Sequence, residues 1–349
     1  MRVVVVGASG NVGTSLLRSL ADEPAVDSVV GIARRIPKGS FPKTEWRAAD
    51  VATSPLRPHF QGADAVVHLA WAIQPGRDKQ RLHEVNVEGS ARVFRAAAAA
   101  GVPALVYASS IGAYAPGPKD RGVDESWPTT GIGSSFYARH KAEVERVLDR
   151  FEDEHPDTRV VRLRPGLIFK REAASGIRRL FAGPLLPNVL VQRRLIPVVP
   201  AHPRLVFQAV HSYDAGDAYR LAIVTADARG AYNIAADPVL DPDELARTLG
   251  ARAVRVPGGL LRVGAAATYR LRLQPSEPGW VDMAFAVPVM DTTRARTELG
   301  WQPKRSSSEA LLDLLAGMRE GAGLETPPLE PGGAGPLRAR EFASGMGGR

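Results

Sequence analysis

The chain has 349 residues, 44% hydrophobic and 23% charged, a composition that supports one large or two intimately shared globular cores. It contains no cysteine, which excludes disulfide frameworks, thiolate nucleophiles and cysteine zinc sites. The net charge of +8 comes mostly from scattered arginines, and aromatics are only 6%; with no stacking motif among them, the expected partner is an anionic small molecule, not nucleic acid.

In chain order, Val3–Val6 reads as a buried strand that stops at Gly7, too short and too soon followed by patterned glycines for a signal peptide, so a cytoplasmic protein is expected. Val12–Leu20 reads as a helix, Val29–Ala33, Ala65–Ala70 and Leu105–Ser109 as strands, Leu82–Ala100 and Ser135–Phe151 as helices, and Arg159–Arg164 as a further strand. This alternation predicts an α/β fold with a Rossmann-type doubly wound parallel sheet. The longest apolar candidate, Ala96–Ala108, is broken by Gly101 and Pro103, so no membrane span is expected.

Beyond Pro165 the alternation loosens and prolines punctuate the chain. Strands are predicted at Leu205–His211 and Ala231–Ala235, and helices at Ala215–Thr225, Pro242–Leu249 and Ser308–Met318. The expected division is a Rossmann domain of residues 1–165 with about 205–235, and a smaller, discontinuous C-terminal substrate lobe of 166–204 and 236–320. From Gly321 onward Gly and Pro dominate, so 321–349 reads as a disordered tail.

The segment Gly7-Ala8-Ser9-Gly10-Asn11-Val12-Gly13 lies between the first strand and the first helix. Glycines there permit a tight turn and close backbone approach, while the helix N-terminus offers free N–H groups to a pyrophosphate. The spacing G-x-x-G-x-x-G resembles the short-chain dehydrogenase/reductase superfamily, and the chain length points to its extended branch of nucleotide-sugar epimerases, dehydratases and related ketone reductases. Where an acidic residue would bind the ribose 2′-hydroxyl of NAD, Ala33 is followed by Arg34 and Arg35. Two guanidiniums suit a 2′-phosphate, which favours NADP(H), with NAD(H) as the alternative.

The resemblance implies further cofactor positions. Asp50-Val51 matches the pair after the third strand where the carboxylate meets the adenine amino group; as a plain turn, Asp50 has a second reading. Leu69, Ala70 and Trp71 match the strand-end loop along the cofactor, and Arg164-Pro165-Gly166 the segment that closes over the nicotinamide.

Tyr137-Ala138-Arg139-His140-Lys141 places Tyr137 and Lys141 on one helical face, so an ammonium can lower the pKa of the phenol that exchanges a proton with the substrate oxygen. By the resemblance, Ser110 is the serine that orients that oxygen, with Ser109 its neighbouring alternative, and Asn86 holds backbone geometry or a water near Lys141. His140 reads as a surface residue. The resemblance spans residues 1–318 and departs from its pattern at Ala33 and at Phe169-Lys170-Arg171, which lacks the usual Gly-Pro.

The seven histidines show no paired ligand spacing, so no metal is expected. Asp124-Glu125 and Asp153-Glu154 read as solvated charges. Arginines 178, 179, 193, 194 and 204 fit either a substrate diphosphate or a basic surface. Trp71-Ala72-Ile73 and Leu185-Leu186-Pro187 could line an apolar pocket, and Val256–Leu273 reads as a helix covering it, with Gly258 and Gly259 as hinge. The expected function is hydride transfer at a hydroxyl or carbonyl carbon of a nucleotide sugar or a small ketone or alcohol; the alternative is a non-catalytic, NADP-binding redox sensor. The helices at Leu82–Ala100 and Ser135–Phe151 are where family members pair, so a homodimer is the assembly the resemblance allows.

Overall fold

The computed structural model describes residues 1–73, 78–181, 196–271 and 276–331. In chain order it comprises β1 (Arg2–Val6), α1 (Asn11–Ala21), β2 (Ser28–Ala33), β3 (Thr44–Ala48), α2 (Arg57–Phe60), β4 (Ala65–His68), α3 (Lys79–His83), a π-helical turn (Glu84–Glu88), α4 (Gly89–Ala99), β5 (Ala104–Ala108), β6 (Gly122–Val123), α5 (Phe136–Glu154) and β7 (Arg159–Pro165). There follow β8 (Leu167–Phe169), α6 (Ala174–Phe181), β9 (Val198–Ala201), β10 (Phe207–His211), α7 (Ser212–Val224), β11 (Gly230–Ile234), β12 (Ala236–Leu240) and α8 (Pro242–Leu249). The chain continues with β13 (Arg252–Arg255), α9 (Gly258–Arg270), α10 (Gly279–Ala286), β14 (Val289–Met290), α11 (Thr293–Glu298) and α12 (Ser307–Glu320).

The main sheet is seven-stranded in the order β11-β7-β5-β4-β1-β2-β3, and every pairing in it is parallel. The run of valines in β1 explains its central place. Val3 and Val5 pack into a core with α1 and α7, while Val4 and Val6 pack into a second core with α4 and α5, so alternate side chains bury on opposite faces. The strand order reverses beside β1, and the crevice between the ends of β1 and β4 is where such sheets bind ligands.

The predicted helix at Leu82–Ala100 is α3, the π-helical turn and α4 run together. The predicted strand at Leu205–His211 does not join the Rossmann sheet. As β10 it sits between β12 and β8 in a separate three-stranded sheet, because its apolar face packs with α8 and α12 around Ala209, Leu240, Leu245, Ala310 and Leu314. α9 has no buried residue, and Leu260 and Val263 lie exposed; Arg262 ties it to Asp282 of α10 at 2.8 Å. Gly258 is a close approach to His202 and Phe285, whereas Gly259 has open space around it.

The expectation of a disordered tail from 321 onward is corrected for residues 322–331, which turn back on themselves, burying Thr326 and Leu329. Residues 332–349, Arg193, Arg194 and Leu185-Leu186-Pro187 lie outside the described residues. Among the described residues no helix is long and apolar enough to cross a membrane, and no cluster of three His, Asp or Glu could hold a metal ion.

Candidate active site

The phosphate-cradling turn is shaped by contacts that only glycine allows. Gly7 has φ +87°, and a Cβ there would lie 2.6 Å from the Ala70 amide nitrogen, so the ends of β1 and β4 meet. A Cβ on Gly13 would lie 2.5 Å from the carbonyl oxygens of Gly7 and Ala8, which lets α1 start directly against the turn. Ser9 is buried beside it. The first amides of α1, from Asn11, Val12 and Gly13, have no partner within the helix by the nature of a helix start, and they face a position suited to an anion.

Gly7, Ser9, Gly10, Ala33, Arg34, Arg35, Asp50, Val51, Leu69, Ala70 and Trp71 line one groove. Arg34 and Arg35 are exposed at its rim, and neither forms an ion pair with a carboxylate among the described residues. Asp50 serves two purposes: Oδ1 accepts the Ala52 amide at 2.9 Å, closing a turn, and Oδ2 pairs with Arg81 at 3.1 Å. Asn11 Oδ1 and Trp71 Nε1 are buried polar atoms without a partner. Together with the glycine cradle, these unspent atoms fit a dinucleotide along the groove. Pro165 ends β7 in register with Ile234; like Asn11, Val12, Gly13, Tyr137 and Lys141, it does not line this groove.

Asn86 holds the backbone of the loop whose Trp71 ring meets Lys141. It is fully buried in the π-helical turn, where Oδ1 accepts the Ala72 amide at 2.7 Å and Nδ2 donates to the Ala72 carbonyl at 2.8 Å. It thereby fixes the loop that carries Trp71, and the extra residue of the turn re-aims its side chain.

Ser110, Tyr137 and Lys141 converge beside this loop. β5 delivers Ser110 at its C-terminal end, and the Ser110 hydroxyl accepts the Gly112 amide at 3.0 Å. α5 begins at the Ser135 cap, whose hydroxyl accepts the Ala138 amide, and presents Tyr137 and Lys141 one turn apart. Gly112 lets the phenol close in, since a Cβ there would lie 2.9 Å from the Tyr137 ring. Lys141 is buried; its Nζ donates to the Ala108 carbonyl at 2.6 Å and lies 3.5 Å from the centre of the Trp71 ring.

The electrostatics differ from the sequence expectation. Burial raises the Tyr137 pKa, partly opposed by the Ser110 hydroxyl, and lowers that of Lys141 well below the usual range, partly opposed by Glu145. The low dielectric disfavours both charged forms, and the expected lowering of Tyr137 by Lys141 is absent. His140 is also corrected: it is buried, not on the surface, and burial plus the neighbouring His83 bring it down to about 4.

The model of the NAD-dependent epimerase/dehydratase family matches residues 3–235, which includes the cradle, Ser110, Tyr137 and Lys141. The chain belongs to that family. It is 28% identical over 93% of its length to an uncharacterized protein of Mycobacterium tuberculosis, of which it spans only 31%. It is 25% identical to the 3β-hydroxysteroid dehydrogenase/Δ5→4-isomerase of the same species over 90% of this chain and 89% of that one. It also resembles the dTDP-glucose 4,6-dehydratase DesIV of Streptomyces venezuelae, solved with NAD and TYD bound, with a TM-score of 0.66, 20% identity and coverage of 92% and 97% of the two chains.

Two features of this epimerase/dehydratase family member escape the sequence reading. Trp280, on α10, lies with its ring 5.1 Å from that of Tyr137, and Trp71 meets the same phenol edge-on at 5.9 Å. α10 comes this close because Gly279 presses on the Ser134 carbonyl, where a Cβ would lie at 2.3 Å. The second is Glu145, fully buried one further turn along the Tyr137–Lys141 face. Its carboxylate accepts from Ser109, from Arg164 at 2.9 and 3.0 Å, and from Arg162 at 2.8 Å. Burial would raise this carboxyl, but the hydrogen bonds and charge of Arg164 and Arg162 outweigh it and hold it at about 2. The spacing of four from Lys141 was a signal for Glu145; nothing local marks Trp280.

Proposed function

We propose that this chain is an NAD(P)-dependent oxidoreductase that interconverts a secondary alcohol and its ketone on a largely apolar substrate. The meeting of Ser110, Tyr137 and Lys141 at the end of the dinucleotide groove, with the phenol flanked by Trp71 and Trp280, carries the reading. Aromatic walls favour an apolar body over a sugar diphosphate, and the similarity to the mycobacterial hydroxysteroid dehydrogenase agrees with that class. Ala33, Arg34 and Arg35 favour NADP(H) over NAD(H). A homodimer through α4 and α5 is the accompanying assembly.

Bound along the groove, the nicotinamide dinucleotide supplies a hydride acceptor or donor at the substrate carbon. The Gly10–Gly13 turn and the start of α1 hold its phosphates, and Lys141 holds a ribose hydroxyl. Ser110, fixed by the Gly112 amide, donates to the substrate oxygen and orients it. Tyr137 passes the proton to or from that oxygen. Its raised pKa keeps it protonated in the resting site, which suits proton donation to a ketone.

The test is turnover of purified protein with NADPH or NADH on a panel of apolar ketones and of UDP- and dTDP-sugars. Ketone-dependent oxidation of NADPH, lost in Tyr137→Phe by about 10²–10⁴-fold, is the expected result. Conversion of a nucleotide sugar with no net change in the dinucleotide would replace the substrate class by an epimerase or dehydratase cycle. Activity unaffected by Tyr137→Phe would remove the catalytic assignment and leave the dinucleotide-binding regulator.

A further inference from the structure

The segment after α12 has a defined course. Gly321 stops the helix with φ 64°, the Ala322 amide donates back to the Gly317 carbonyl at 2.9 Å, and the chain then reverses. The turn is closed by the Leu329 amide on the Thr326 carbonyl at 2.8 Å and the Leu324 amide on the Leu329 carbonyl at 3.1 Å. Thr326 and Leu329 are 1% and 3% exposed, so the turn is anchored to the protein. Between these anchors, Pro327 and Pro328 line the same groove as Gly7, Ser9, Gly10, Arg34 and Arg35.

The segment roofs the groove and does not fill it, since a cavity of about 220 Å³ remains. The Glu325 carboxylate lies 3.9 Å from where a Cβ on Gly39 would stand, in the loop that follows Arg34 and Arg35, and the Pro328 carbonyl lies 3.9 Å from the corresponding position on Gly176 in α6. The strap thus runs from the loop after Arg34 and Arg35 to α6. Two consecutive prolines suit a wall. They carry no N–H needing a partner, their φ angles are fixed, and little backbone freedom is lost on closing over a ligand.

We propose that residues 322–331 form a wall of the dinucleotide site, with Pro327 and Pro328 covering the adenosine and phosphate half, so that the nucleotide leaves only when the strap opens. This rests on the cofactor reading given under the proposed function. The test is stopped-flow displacement of bound NADPH, followed by its fluorescence, in the full chain and three variants. One lacks 332–349, one lacks 322–349, and P327G/P328G keeps the Thr326 and Leu329 anchors within the full chain. The first should release NADPH as the full chain does. The other two should release it about tenfold faster with a matching rise in Kd, because such losses fall mainly on the dissociation rate. Unchanged release in both, or tighter binding after removal of 322–349, would overturn the wall. Failure of the full chain to bind either NADPH or NADH would instead overturn the cofactor reading on which it rests.

Discussion

Tyr137 gathers its surroundings from four segments: Ser110 from the end of β5, Gly112 from the turn after it, Trp71 from the loop that Asn86 holds, and Trp280 from α10. Replacing it by Phe removes one oxygen and leaves the packing, so NADPH should bind with unchanged Kd while turnover is lost; equilibrium fluorescence titration beside the rate assay checks the split. Gly13→Ala acts on the opposite side of that division. Its Cβ would press on the Gly7 and Ala8 carbonyls at 2.5 Å, and NADPH affinity should fall at least tenfold as the cradle distorts, read by the same titration. Glu145→Gln leaves Arg164 with a neutral partner in a buried setting. Removing one side of a buried pair costs about 3 kcal/mol, measurable by urea unfolding. Tyr137 and Lys141 were legible because a spacing of four on a helix is visible in sequence; the environment that decides their protonation was not, because burial is set by distant segments.

Among the elements, β1 was legible from its valines, both of its faces being buried. β3 offers no such pattern: Glu45 and Arg47 alternate with partly exposed residues on a sheet edge, where polar side chains cost nothing. α10 could not be assigned to the site from sequence, since what brings it there is the fit of Gly279 against Ser134. Trp280→Ala should raise the KM for apolar substrates several-fold, roughly what losing one aromatic contact of 0.5–1.5 kcal/mol or more predicts, while the NADPH Kd stays fixed; steady-state kinetics with both ligands varied separates the two. Asn86→Ala strands the Ala72 amide and carbonyl, at about 1–3 kcal/mol for a buried unsatisfied group, and should lower both stability and turnover by loosening the loop that carries Trp71.

For the molecule as a whole, acid is the expected weakness. His68, desolvated and near Lys141, is brought down to about 3, and His140 to about 4. Neutral in the folded protein, both protonate more readily when unfolded, so stability falls as pH drops from the unfolded histidine value near 6.5 toward 4 and 3. Glu145, held at about 2, adds a loss with the same sign from the unfolded value of 4.5 downward. The unfolding midpoint in urea should therefore decline steadily below about pH 6.5, and His68→Phe should flatten the upper part of that decline. At this scale the parallel Rossmann-type sheet was legible from the order of patterned segments, with smaller sheets formed by later strands, whereas the course of 322–331 was not. Its Gly and Pro content reads as disorder, yet two buried side chains and a helix stop suffice to direct it.

Lys170 has a consequence for motion. Fully buried after β8, its ammonium donates to the Asn11 carbonyl at 2.9 Å and to the Thr14 and Ser15 hydroxyls at 2.7 and 3.0 Å. The Asn11 side-chain amide in turn donates to the Ile168 carbonyl of β8 at 3.1 Å. The helix that opens at the glycine turn is thus bolted to β8 of the three-stranded sheet and to the residue after it from two directions. A clamshell rotation about that junction would have to break all of these contacts together, so ligand uptake should leave the small-angle scattering profile of the protein essentially unchanged.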